Sequence, residues 1–323
     1  MANIRDVATM AGVGIGTVSR TLSNKGYVSQ ETREKILAAA NAVGYKYEAT
    51  ARPAPRREAG VIGVVVPVID HPFFTRMINN IEMELFLRGY KCLVSSTMEI
   101  TSKMNEFMEL LDEKHIDGII ALSDPGIGFK GRQGRPIVCL DRDWGPDVPM
   151  VRADHEEGGR LAAEAFLEAG CKKVIQFFSG DHEFSCNVRH NVMEKILKEN
   201  GCDVMNVQMS FNSISYPYNK NVIESYWRLI SQMDGCMTND IGALSCLAVA
   251  NKKGVKVPEE LKIIGYDGTE ITNLSYPAIT VIEQDCPEMA RACVESVISM
   301  IEGNEPEEML IKIPVKLKKR GTT

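Results

Sequence analysis

Three glycines at alternate positions, Gly12, Gly14 and Gly16 in "AGVGIGTVSRTLSN", raise two chemistries. A glycine-rich loop between a strand and a helix cradles phosphate on its backbone N–H groups. The same residues can instead turn the chain into a helix whose first turn reads DNA. The preceding "NIRDVATM" carries Ile4, Val7, Ala8 and Ala11 at a three-to-four spacing, which predicts a short helix. The strand that a phosphate cradle needs is therefore missing, and the helix-entry reading is preferred. Further along, Asp70, Asp141, Asn239 and Asp267 each close or follow an apolar run. In α/β sheets that is where ligands collect. Enzyme chemistry has little support: no GxSxG elbow, HExxH or Walker sequence is present. "DHEEGG" gathers possible metal ligands, but Asp154 reads better as a helix cap, and His71 in "HPFF" is one imidazole with no paired base. No catalytic residue, metal or cofactor is expected.

The elements that would position these residues follow from patterning. Asn3 can cap a first helix. Gly14 can cap a second, with Val18 and Leu22 on one face, and Ser29 a third, where Ile36, Leu37, Ala40 and Val43 recur at helical spacing. Gly44 suits the position just past that helix. "EATARPAPRREAG" then reads as a linker. From Val61 the pattern changes to continuous apolar runs such as "VIGVVVPV", "IDGIIAL", "PIVCLD" and "LKIIGYD", typical of parallel strands buried on both faces. Alternating with helical stretches, they predict an α/β architecture with parallel sheets. About 260 residues exceed one comfortable core, so two lobes are expected.

Charge divides the chain in the same way. Residues 1–57 hold nine basic side chains against four acidic ones, a net of +5, so the rest of a chain of net charge −6 carries −11. A small basic module on a large acidic body points to a polyanion bound at one end. No run approaches the ~18 apolar residues of a membrane span, and "MANIRDVATM" has no apolar signal region. The nine cysteines lack CxxC or metal-like spacing and suit buried positions in a reducing cytoplasm.

Two short helices, a turn and a basic surface fit a helix-turn-helix. "IRDVATMAGVGIGTVSRTLSN" followed by "VSQETREKILAAANAVGY" resembles the lactose-repressor (LacI/GalR) family of bacterial transcription regulators. The resemblance continues in the family's order through "VIGVVVPVIDHPFF", "HIDGIIAL", "VCLDRD", "VRADHEEGGRLAAEAFLEAG", "TNDIGALSCL", "IIGYDGTEI", "PAITVIEQD" and "KLKKRGTT". It implies an α/β protein with an N-terminal three-helix helix-turn-helix head and a two-lobed, periplasmic-binding-protein-like core with parallel sheets. The head would span residues 1–47, the linker 48–60 and the core 61–323, with an N-lobe of about 61–155 and 287–323 and a C-lobe of about 156–286. The partners implied are double-stranded operator DNA, a small-molecule effector, most commonly a sugar, and a second copy of the chain in a homodimer; no membrane is involved.

Carried over by residue, Ile15 and Gly16 take the family's operator-reading positions and Arg20 the Arg of its "TVSR" motif, while Thr17, Ser19, Thr32 and Arg33 match phosphate-touching positions. Hydroxyls and Arg on phosphate set register, and groove-facing side chains discriminate bases. The reading helix departs from the family pattern: Gly14 replaces the usual Ser, and Gly16 in the first turn costs up to about 1 kcal/mol relative to Ala. In the core, Phe73, Asp141, Arg189, Asn239, Asp267 and Gln284 match pocket positions, and Phe211 or Tyr216 offers a second stacking ring. Converging carboxylates, amides and a guanidinium with an aromatic face suit a polyol, although a purine satisfies several of the same groups. A solute-binding transport protein would share the core but needs a signal peptide and has no use for a basic head. A nicotinamide enzyme fails on the missing strand.

The linker departs further. The family's minor-groove wedge is a Leu, and its position here is Ala54, between Pro53 and Pro55. Pro55 biases Ala54 away from helix, and Ala is too small to unstack a base step. Arg52, Arg56 and Arg57 remain to follow a narrow groove in an extended conformation. Little central kinking of the operator is the expectation.

Overall fold

A computed structural model describes residues 4–22, 28–44, 59–98, 100–125, 128–179, 185–210 and 215–323. Three helices form the head: α1 (Ile4–Ala11), α2 (Ile15–Leu22) and α3 (Gln30–Ala42). Val7, Ala8, Val18, Leu22, Ile36, Ala39 and Ala40 make its separate core. Gly12 takes φ +66 in the turn between α1 and α2, a left-handed conformation that glycine adopts without steric cost. The Gly14 carbonyl accepts from Thr17 N at 2.9 Å and Val18 N at 3.2 Å, so Gly14 stands at the N-cap of α2. Ser29 caps α3 by accepting from Thr32 N, and Gly44 follows that helix at φ +65.

In the remainder, elements alternate as β1 (Val61–Val66), α4 (Pro72–Leu87), β2 (Lys91–Ser96), α5 (Thr101–Asp112), β3 (Gly118–Ala121), β4 (Ile137–Leu140) and β5 (Met150–Ala153). Then come α6 (His155–Glu168), β6 (Lys173–Ser179), α7 (Val188–Glu199), β7 (Asp203–Met209), α8 (Tyr216–Ile230), β8 (Gly235–Asn239), α9 (Asp240–Lys253), β9 (Lys262–Asp267) and β10 (Thr280–Gln284). The chain closes with α10 (Cys286–Ile301), β11 (Leu310–Ile313) and β12 (Val315–Lys318). Two six-stranded sheets result, in the orders β11-β5-β4-β3-β1-β2 and β12-β10-β9-β8-β6-β7. Every pairing is parallel except β10 with β12. β3 and β4 are buried along their whole length, as continuous apolar strands covered on both faces must be.

The chain passes between lobes at three places: Asp154, Asp285 and Pro314. Asp154 and Asp285 cap α6 and α10 by accepting from Glu157 N and Glu288 N, at 3.1 and 3.3 Å. The expectation that 287–323 belongs wholly to the first lobe needs correction. α10 and β11 do lie there, but β12 joins the second sheet, with Val281 opposite Lys318. Thr322 Oγ1 then accepts from Thr280 N at 2.8 Å and donates to Ile263 O at 2.6 Å. Pro314 separates the two strands, so a single residue carries the chain from one sheet to the other.

Candidate functional site

The cleft between the lobes is built from strand ends. Asp141 follows β4, Asn239, Asp267 and Gln284 are the last residues of β8, β9 and β10, and Arg189 lies in the first turn of α7. With Phe73 they line one cleft, whose cavity is about 120 Å³. Phe211, the remaining core candidate, lies outside the described residues. Asp70 and Tyr216 are exposed and do not line this space. Sequence reasoning passed over Phe74, Arg142, Phe177, Phe178, Asn187 and Met209, which line it too. Arg142 was adjacent to Asp141 in "VCLDRD" and could have been found; Phe177 and Phe178 look like ordinary strand interior in "KKVIQFFSG".

The polar groups are held stiffly. Asp141 sits at φ +55 and Asp267 at φ +122, left-handed conformations that side-chain-bearing residues seldom adopt away from functional sites. Gln284 Nε2 donates to Asp267 Oδ1 at 2.8 Å. Ser185 Oγ, from the opposite lobe, donates to the Asp141 carbonyl at 2.9 Å. Arg76 of α4 reaches across to the Gly268 carbonyl at 3.1 Å. The Arg189 guanidinium lies 4.0 Å from the centroid of the Tyr266 ring, a cation–π contact. His71 caps α4, its Nδ1 accepting from Phe73 N at 3.3 Å. His71 Nε2 and Gln284 Oε1 are buried atoms without a protein partner among the described residues, and both residues line the cleft.

Burial divides the charges. It pushes Asp141 up, but His155, Arg142 and Arg189 together outweigh it and hold the carboxyl below its ordinary value. For Asp267 burial wins, joined by the neighbouring Asp240 carboxyl, against Arg189 and Gln284; its pKa is raised. One lobe therefore offers a carboxylate, an acceptor only, while the other offers a carboxyl that resists ionisation. Burial lowers His71 to about 4, so its imidazole is neutral and, with Nδ1 accepting, presents an Nε2–H donor.

In the head, Ile15, Gly16 and Arg20 are exposed on α2, and Thr17, Thr32 and Arg33 are half-buried. Arg20 folds back along its helix, donating to Gly16 O at 3.2 Å and Thr17 Oγ1 at 3.4 Å. Ser19 stands on the same helix, while Arg52 and Ala54 lie outside the described residues.

A helix-turn-helix head joined to a two-lobed α/β core with a polar, aromatic-lined cleft defines a DNA-binding regulator under small-molecule control. Residues 3–47 match "Bacterial regulatory proteins, lacI family", and residues 163–323 match the periplasmic binding protein-like domain. The chain is 31% identical over 317 residues to the sucrose operon repressor of Streptococcus mutans, covering 97% of each chain. It is 32% identical over 327 residues to the ribose operon repressor of Bacillus subtilis, covering 100% of this chain and 99% of that one. Among solved structures, a periplasmic binding protein/LacI transcriptional regulator from Alkaliphilus metalliredigens, complexed with D-xylulofuranose, superposes with a TM-score of 0.74. It shares 25% identity, with 82% of this chain and 99% of that chain covered. The chain belongs to the lacI family of bacterial regulatory proteins and is a transcriptional regulator, not an enzyme.

Proposed function

We propose that this regulator is a homodimeric repressor whose effector is a sugar or closely related polyol bound between the lobes. The observation that carries the reading is the convergence in one cleft of aromatic rings (Phe73, Phe74) with Asp141, Arg189, Asn239, Asp267 and Gln284. Rings cover the apolar face of a sugar while fixed donors and acceptors take its hydroxyls. The names of its relatives, sucrose and ribose operon repressors, agree with this class. Met83 and Phe86, three residues apart on α4, are neighbouring large apolar side chains left 37% and 63% exposed, which supports a self-association surface there. A two-fold dimer carries two heads to two half-sites. Ile15, Gly16, Thr17, Ser19, Arg20, Thr32 and Arg33 meet the operator, and residues 48–60 connect head to core. Effector binding changes the pose of the lobes, and with it the spacing of the heads.

The test is calorimetry against D-ribose, D-xylulose, sucrose, cellobiose, hypoxanthine and guanine, paired with gel shifts on DNA upstream of the chain's own gene. A sugar binds and changes operator affinity. Arg189→Ala and Asp267→Ala each weaken that sugar about fivefold to a hundredfold, since a buried polar partner left unpaired costs ~1–3 kcal/mol. Binding of a purine alone, or wild-type affinity in both variants, overturns the assignment.

A further inference from the structure

We propose that His155 is a positioning residue of the cleft and, with Tyr266, a latch between the lobes: a buried hydrogen-bonded chain, Asp141–His155–Tyr266, ties the first lobe to the second and fixes the carboxylate that the ligand meets. The inference rests on the small-molecule reading of the cleft and adds to it residues that do not line it.

His155 is fully buried and is the first residue of α6, immediately after the crossover at Asp154. Both its ring nitrogens are used. Nε2 lies 2.9 Å from Asp141 Oδ1, at the end of β4 in the first lobe. Nδ1 lies 3.1 Å from the Tyr266 hydroxyl, in β9 of the second lobe. A carboxylate only accepts, so Nε2–H donates to Asp141, while Nδ1 and the Tyr266 hydroxyl share the second hydrogen bond. Beyond Tyr266 the chain ends on Arg189, stacked on the phenol ring. Its two termini, Asp141 and Arg189, are opposite charges that line the cleft from different lobes.

The packing of α6 shows how closely this chain is fitted. A Cβ on Gly158 would fall 2.2 Å from the Tyr266 hydroxyl, and one on Gly159 would fall 2.3 Å from the Arg189 carbonyl oxygen. The paired glycines of "DHEEGG" let the helix carrying His155 approach both residues. A rotation of one lobe on the other must lengthen His155–Asp141, because α6 packs with the second lobe, where Tyr266 holds the ring, and Asp141 ends a strand of the first. A ligand bridging Asp141 and Arg189 holds both ends of the chain and opposes that motion.

Tyr266→Phe is the test, since it removes one hydroxyl and keeps the ring under Arg189. In ligand-free, histidine-labelled protein, long-range ¹H–¹⁵N correlation reads the His155 tautomer, assigned with His155→Gln. The wild type shows a proton on Nε2, and Tyr266→Phe moves the Nδ1 resonance, whose partner it removes, far more than the Nε2 resonance. Amide exchange at Glu157 and Gly158, without ligand, speeds about threefold to tenfold in Tyr266→Phe, as expected for losing one hydrogen bond, while the rest of the second lobe is unchanged. With whichever panel sugar binds the wild type, Tyr266→Phe reduces the factor by which saturating sugar changes operator affinity. An Nε2 without a proton, an unmoved Nδ1 resonance, unchanged exchange or an unchanged coupling factor each overturns the latch. If no sugar binds the wild type, the effector reading fails on that result, and the two ligand-free measurements still decide whether the latch exists.

Discussion

His71→Asn separates the capping role of this histidine from its titration. Asn caps a helix as well as the imidazole does, but it carries no proton in the relevant range. His71 is buried, its ring set against Phe74 at 5.4 Å between centroids, and burial lowers its pKa from 6.5 to about 4 against the opposing pull of Asp70. The unfolded chain takes up a proton near pH 6.5, and the folded chain does not until about pH 4. Between those values the unfolded state binds more protons, so stability falls as pH falls. Over the whole window this amounts to ~3 kcal/mol at about 1.4 kcal/mol per pH step, an upper figure for a buried group. Asp240 works in the opposite sense. Burial raises it from 3.8 to about 6, against hydrogen bonds from Thr269 and the charge of Arg320, so its contribution is lost as pH rises through 6. Because Asp240 and Asp267 are common to both proteins, the difference between wild type and His71→Asn isolates the imidazole. Chemical denaturation at fixed ionic strength and pH 7, 5.5 and 4 measures it. Trp144 fluorescence in a Trp227→Phe background reports the first lobe, since Trp144 packs in a cluster of that lobe and Trp227 against one of the second. The stability of the wild type relative to His71→Asn should decline by about 3 kcal/mol from pH 7 to pH 4. A difference constant to within ~1 kcal/mol would refute the buried, neutral imidazole.

Arg20→Ala should weaken operator binding and flatten its dependence on salt, with effector affinity unchanged, because the two functions lie in separate cores; filter binding at several salt concentrations checks both. Gly159→Ala should destabilise the second lobe by roughly 1–3 kcal/mol, because the new Cβ meets Arg189 backbone rather than a movable side chain; a melting temperature equal to the wild type's would count against the fit of α6 on α7.

The head was readable residue by residue. Gly12, Gly14, Ser29 and Gly44 are local signals, turns and caps set by neighbours within four positions, and the helices start and stop where those signals place them. The buried strands β1, β3, β4 and β9 were equally legible, because a parallel strand covered on both faces is written as a continuous apolar run. Strand β7 was not, since it lies at a sheet edge and carries exposed Asp203, Asn206 and Gln208 among its apolar residues. The candidates Phe73, Asp141, Arg189, Asn239, Asp267 and Gln284 could be named from strand ends and family motifs. That they share one cleft, with Phe177 and Phe178 in its wall, depends on two sheets meeting.

The order of elements, the basic head with its acidic body and the set of polar residues at strand ends are all written along the chain. These rest on periodicity, capping and charge, which act over a few residues. Tertiary structure alone decided the final strand's change of sheet, the burial that divides Asp141 from Asp267, and the His155–Tyr266 contact across 111 positions. Each depends on which distant groups come into contact, and on how much water leaves when they do. Neither quantity is carried by the residues' own spacing along the chain.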